Sequence, residues 1–81
     1  MNDYTVKTSQ QLGSVLRGYR KERRLTQQQI GAKTGIPQPI ISQMEDDPGP
    51  KALSQLLKVL AALELEFVVR KKRMSQVPAD W

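Results

Sequence analysis

The sequence predicts a mainly α fold, four to five helices built around a helix-turn-helix, followed by one C-terminal β-strand that pairs across a dimer. Three observations predict it. Between residues 8 and 63 apolar residues recur every three or four positions, the spacing of helices with one buried face. Within that span Gln27 to Asp46 (QQQIGAKTGIPQPIISQMED) sets two short helical patterns on either side of a Gly35-Ile36 turn. From Glu64 to Lys71 the period drops to two, which is that of a strand.

In chain order, residues 1–7 read as an N-terminal arm, polar apart from Tyr4 and Val6. Thr8 or Ser9 caps the first helix. Thr8-x-x-Gln11 has the spacing of a capping box, and Leu12, Val15, Leu16 and Tyr19 fall on one face at i, i+3, i+4 and i+7. Arg17, Lys21 and Arg24 are placed on the opposite face. Leu25 leads into the central unit, where Thr26-x-x-Gln29 repeats the capping box.

Ile30 and Thr34 point inward on the second helix, and Ile40, Ile41 and Met44 do so on the third. Three small or apolar positions make the turn workable. Gly31 lets the neighbouring helix pass closely, Gly35 supplies a positive φ, and Ile41 fills the angle between the two helices. Pro37 and Pro39 bracket Gln38, and a residue before proline is pushed away from the α region. The expected assignment is therefore Gln38 at the N-cap and Pro39 at the first helical position.

The breakers Asp47, Pro48, Gly49 and Pro50 make a loop. Lys51 to Leu63 resumes a helix whose stripe is Leu53, Leu56, Leu57, Leu60 and Leu63. Residues 64–71 then form the strand, with Leu65, Phe67 and Val69 alternating against Glu66, Val68 and Arg70. A single strand leaves its backbone groups unpaired, and residues 3–7 are the only other candidate partner. The expectation is a two-fold ladder with a second copy, through Leu65, Phe67, Val68 and Val69. Residues 72–81 read as a flexible tail ending in Trp81, an indole expected to enter a partner's pocket, to mark the chain for degradation, or to fold back on the dimer.

Composition narrows the function to binding. The 81 residues allow one small domain, and neither cysteine nor histidine is present, so thiolate and imidazole chemistry and the usual zinc sites are excluded. No nucleophile with a base, phosphate loop or metal constellation stands out, and no cofactor is expected. The charge of +5 is gathered at Arg17 to Arg24 and Arg70 to Arg73, a distribution suited to a polyanion. No apolar run is long enough to span a membrane and the start lacks the pattern of a signal peptide, so the expected location is the cytoplasm, on the nucleoid.

The text LRxxRxxxxLTQ, QIGxxTGI and ISQME, within residues 12–63, resembles the lambda-repressor and Cro-like (Xre-type) helix-turn-helix family. That resemblance implies a lambda-repressor-like domain over residues 8–63 that binds double-stranded operator DNA. It implies base reading by Gln38, Pro39, Ser42 and Gln43, with Gln27 bracing Gln38. Carboxamides pair with adenine N6 and N7, and the prolines offer a rigid surface to a thymine methyl. Thr26, Gln27, Lys33, Lys51 and Arg17 become the phosphate-binding candidates, while Arg20 and Glu45 occupy positions of a structural ion pair. A homodimer then implies a palindromic operator with half-sites about 34 Å apart, or a multiple of that.

The stretch LLKVLAALELEFVV and the terminal Trp81 resemble a narrower group, the HipB-type antitoxins. Members are homodimers that repress their own operon and hold a HipA-like serine/threonine kinase toxin inactive. The alternatives are a free-standing phage or host regulator of the same Xre/Cro-like class, and a protein-interaction module whose DNA binding is vestigial. Gln27, Gln38, Ser42 and Gln43 argue against the last, because no acidic residue interrupts them.

Overall fold

The computed structural model describes residues 4–49 and 53–71. Four helices follow one another: α1 (Ser9–Glu22), α2 (Gln27–Thr34), α3 (Gln38–Asp46) and α4 (Leu53–Ala62). Both capping boxes form. Thr8 Oγ1 accepts the Gln11 N–H at 3.1 Å while Gln11 Oε1 accepts the Thr8 N–H at 3.2 Å, and Thr26 with Gln29 repeats the exchange at 3.0 and 2.7 Å. Each box satisfies two of the donors that a helix start leaves over, so both helices begin where the threonines stand.

α1 ends in a reversal closed by two backbone bonds, Leu25 N–H to Arg20 O at 3.1 Å and Arg24 N–H to Lys21 O at 2.9 Å. The same pair recurs after α4, from Leu65 to Leu60 O at 2.8 Å and from Glu64 to Ala61 O at 3.0 Å. These are Schellman caps, with Arg24 and Glu64 both at φ 58 where glycine is the usual occupant. Arg24 therefore does not extend the Arg17–Lys21 face of α1 but sits beyond the helix end. Glu64 likewise closes α4 rather than opening a strand, and Leu65 folds back onto the core. Arg23 and Glu64 join the two caps by an ion pair of 2.6 Å.

The core lies where α2 and α3 meet α1 and α4. Leu16, Ile30, Ile36, Ile41, Met44, Leu56, Val59, Leu60 and Leu63 are all buried in it. The α2–α3 turn is tight for identifiable reasons. Gly35 adopts φ 75, and a Cβ on Gly31 would lie 2.7 Å from the Ile36 carbonyl oxygen. The Thr34 hydroxyl donates to Ile30 O at 2.9 Å and accepts the Ile36 N–H at 3.2 Å, which brings Ile36 down into the core.

The stripe expected on α4 is corrected here. Leu53 and Leu57 are 56% and 43% exposed, and Val59 takes a buried place instead. At 3.6 residues per turn, Leu56, Val59, Leu60 and Leu63 share one face, whereas Leu53 and Leu57 stand roughly 70–110° round from its centre. The strand expected over residues 64–71 does not form within one chain, since residues 65–71 carry no regular structure and no ladder, residues 4–7 included. Phe67, Val68 and Val69 are all exposed, which is the state of an apolar segment with nothing beside it.

The described part of the arm touches the domain, with Tyr4 meeting Tyr19 of α1 edge to face at 6.1 Å between ring centres. Lys51 and residues 72–81, including Trp81, lie outside the described residues. Among the described residues no helix is long and apolar enough to cross a membrane, and no group of side chains could hold a metal ion.

Candidate nucleic-acid interface

The site is the edge on which α2 and α3 both begin. In α2 the capping box consumes the N–H groups of Thr26 and Gln29, so those of Gln27 and Gln28 remain at the positive end of the helix dipole. The Thr26 hydroxyl accepts from Gln29 and keeps its own proton for an outside acceptor. Free N–H groups at the positive end of a helix dipole favour an anion.

α3 begins one residue earlier than the sequence suggested. Pro37, at φ −57 and ψ 143, is its N-cap, and Gln38 and Pro39 occupy the first two helical positions. The Pro37 carbonyl takes the Ile40 N–H at 2.9 Å and the Ile41 N–H at 3.2 Å, and this early bonding draws Gln38 into the helix despite the proline after it. No side chain caps this helix. Pro39 has no N–H and that of Ile40 is used, which leaves the N–H of Gln38 as the remaining donor of the first turn.

At roughly 100° per residue Gln38, Ser42, Pro39 and Gln43 span an arc of about 140°. Ile41 and Met44, both fully buried, hold the opposite side. Burial of that side is what presents the polar arc outward. Gln43 and Pro39 are exposed, and Gln38 and Ser42 are half-buried.

Behind the arc runs a continuous hydrogen-bonded chain. Gln38 Nε2 donates to Gln27 Oε1 at 2.6 Å, and Gln27 Nε2 donates to Glu45 Oε1 at 3.1 Å. Arg20 closes on the same carboxylate, with Nε 2.6 Å from Oε2 and Nη2 3.0 Å from Oε1, and its Nη1 donates to Leu25 O at 2.8 Å. The Glu45 side chain is 4% and that of Arg20 12% exposed. Burial alone would push the Glu45 carboxyl up, but hydrogen bonds from Arg20 and Gln27, the Arg20 charge and a bond from Arg17 outweigh it and hold the carboxyl below its ordinary 4.5.

Two of these partners were not legible in the sequence. Arg17 turns to Glu45 Oε1 at 3.4 Å and to Asp46 at 3.3 Å. With Arg20 on Glu45 and Arg23 on Glu64, three arginines of the basic stretch face carboxylates rather than forming one open positive patch. Gly13 is the other, since a Cβ there would lie 2.6 Å from Glu45 O and 2.9 Å from Met44 O. Its missing side chain lets α1 rest on the end of α3, and a glycine inside an apolar helical stripe was the available signal. Lys33 stands apart from the edge, in the last turn of α2, where it lines a groove with Thr34, Lys58, Ala61, Ala62 and Glu64.

Comparison with known proteins places this geometry. No match was found among curated protein sequences. Among solved structures, a chain of a HipA–HipB–O2–O3 complex is similar at 27% identity and a TM-score of 0.82, covering 88% of this chain and 100% of its own. A HipB–O4 20mer complex gives the same four values. A HipB–O1–O2 complex matches at 28% identity and a TM-score of 0.80, over 85% of this chain and 100% of its own. The sequence profile of the helix-turn-helix family matches residues 16–69, two thirds of the chain. With its paired capping boxes, Gly35 turn and outward polar arc, the chain belongs to the helix-turn-helix family, as a DNA-binding regulator of the lambda-repressor-like (Xre) type similar to HipB.

Proposed function

We propose that the protein is a homodimeric, sequence-specific repressor that serves as the antitoxin of a type II toxin-antitoxin system. It would occupy a palindromic operator, autoregulate its own operon in the cytoplasm, and hold a HipA-like serine/threonine kinase toxin inactive. The observation that carries this reading is the similarity over 100% of a chain from a HipA–HipB–O2–O3 complex, which combines a protein partner with O2 and O3. Gln38, Pro39, Ser42 and Gln43 would face base edges in the major groove, where a carboxamide suits adenine and an apolar ring suits a thymine methyl. Thr26 and Gln27 would take a phosphate at the α2 start. Lys33 and Lys51 add charge for further backbone contacts, and Arg17 has less to give because its guanidinium already faces two carboxylates.

Dimerisation is supported by what one chain leaves uncovered. Leu53, Leu57, Phe67, Val68 and Val69 are exposed together with a segment whose backbone has no ladder. Pairing residues 66–71 about a two-fold axis, through Phe67, Val68 and Val69, would satisfy that backbone and cover the apolar side chains, while Glu64 and Leu65 stay in the cap that closes α4. Trp81 would then reach the toxin or a protease from the end of the tail.

The test is to purify the tagged full-length chain from its own host and identify what comes with it in stoichiometric amount. A kinase-like protein near one copy per chain supports the antitoxin reading. Operator DNA without a stoichiometric protein makes the chain a free-standing Xre/Cro-like regulator.

A further inference from the structure

Glu45 is buried near the end of α3, about two turns from Gln38, yet its carboxylate reaches that side chain through Gln27. We propose that Glu45 is a positioning residue for base recognition, setting which atoms of the Gln38 carboxamide face the DNA. The inference rests on the DNA-binding reading and deepens it.

The argument follows the hydrogen-bond polarity. An ionised carboxylate only accepts, so the Gln27 amide can meet Glu45 Oε1 only through its Nε2, which stands 3.1 Å away. Gln27 is then committed to presenting its Oε1 on its other side. There it meets Gln38 Nε2 at 2.6 Å, so Gln38 must turn its own N–H group inward to be satisfied. A free glutamine has two amide orientations of nearly equal energy. Here a charge fixed by Arg20, 2.6 Å from Glu45 Oε2, selects one of them.

Gln38 is thereby left with its Oε1 and one N–H for the groove. One acceptor beside one donor matches adenine, which offers the N6 amino group and N7. The inverted amide would accept from position 27 and show two N–H donors outward, a pattern that suits the O6 and N7 acceptors of guanine. Glu45 thus writes adenine rather than guanine into the reading of Gln38 without approaching the DNA.

The experiment is in vitro selection from a randomised duplex DNA pool, run on the full-length chain and three variants. Gln38→Ala maps the base pair that Gln38 reads. Gln27→Lys replaces the relaying amide by a donor-only group, which still serves Glu45 but compels Gln38 to turn its oxygen inward. The adenine-to-guanine ratio at the mapped position is expected to fall on the order of tenfold, with the other positions unchanged. Extra charge at position 27 alone would raise affinity for every sequence and leave this ratio where it was. Glu45→Gln is expected to weaken the same preference, and because it also removes the Arg20 counterion, Gln27→Lys carries the test if that variant fails to fold.

An unchanged ratio in Gln27→Lys overturns the proposal, as does a wild-type preference other than adenine at the mapped position. A wild-type chain that enriches no sequence overturns the DNA-binding reading itself, and this failure is distinct from the other two.

Discussion

Replacing Arg20 by alanine should unfold much of this domain's margin of stability. The change removes both guanidinium contacts to Glu45, at 2.6 and 3.0 Å, together with the bond to the Leu25 carbonyl at 2.8 Å. Breaking one side of a buried ion pair costs about 3–5 kcal/mol, because the other charge stays buried without compensation. The lower end applies here, since Glu45 keeps Gln27 at 3.1 Å and Arg17 at 3.4 Å. A loss of about 3 kcal/mol in a domain of this size lowers Tm by roughly 12–24 °C. It also takes a large share of the roughly 4–12 kcal/mol that such a chain holds in total. Thermal unfolding followed by far-ultraviolet circular dichroism near neutral pH measures it. A Tm within about 2 °C of wild type would refute the reasoning, because the pair would then carry no net stability.

Three further outcomes follow from the same geometry. Glu45 titrates below 4.5 in the fold, so the stability it adds is fully present above its unfolded value and is lost as pH falls through the folded one; wild-type Tm should therefore drop as acid is added below about pH 4.5, by a larger amount than in Glu45→Gln. Gly13→Ala puts a Cβ 2.6 Å from the Glu45 carbonyl oxygen, whereas Gly35→Ala meets nothing within 4 Å and costs only its left-handed backbone, about 1–2 kcal/mol. Urea titrations should find Gly13→Ala at least as damaging, despite the better helix propensity of alanine, and a stabilised Gly13→Ala would contradict the close approach of α1 to α3. Phe67→Asp combined with Val69→Asp should give a monomer by sedimentation and weaken operator binding, and a retained tight dimer would mean that another surface joins the two copies.

Local chemistry was readable in the sequence wherever one residue decides the geometry. Thr8 and Thr26 start helices because a hydroxyl three residues before a glutamine closes a box, and Gly35 marks the turn because the backbone there needs positive φ. The helix ends at Arg24 and Glu64 were hidden because their left-handed caps are built from residues that rarely adopt that conformation. Pro37 and Pro39 misplaced the α3 start by one residue, since the rule that disfavours helix before proline yields to the bonds that Ile40 and Ile41 make to Pro37. Leu53 and Leu57 looked like core because a stripe of leucines does not show how much of its width the neighbours cover.

For the candidate site, the polar arc followed from helical period, but the destinations of the arginines did not. Arg17 and Glu45 are 28 positions apart, and Arg23 and Glu64 are 41 apart, separations that only the packed fold brings to contact. The resemblance implied the Gln27–Gln38 contact, but its continuation from Gln27 to Glu45, 18 positions away, was invisible for the same reason. Period two in residues 64–71 describes which side chains would share a face, and a ladder needs a second backbone that one chain does not supply.

The most direct test of the account is whether the edge of α2 and α3 reads DNA. Selection from a randomised duplex pool would be run with the full-length chain and with a Gln38→Ala, Ser42→Ala, Gln43→Ala variant whose Tm has been checked. The account predicts that the wild type enriches a palindrome with half-sites one helical turn apart, or a multiple of it, and that the folded variant loses the motif. The same motif enriched by both proteins, or none enriched by the wild type, would contradict it.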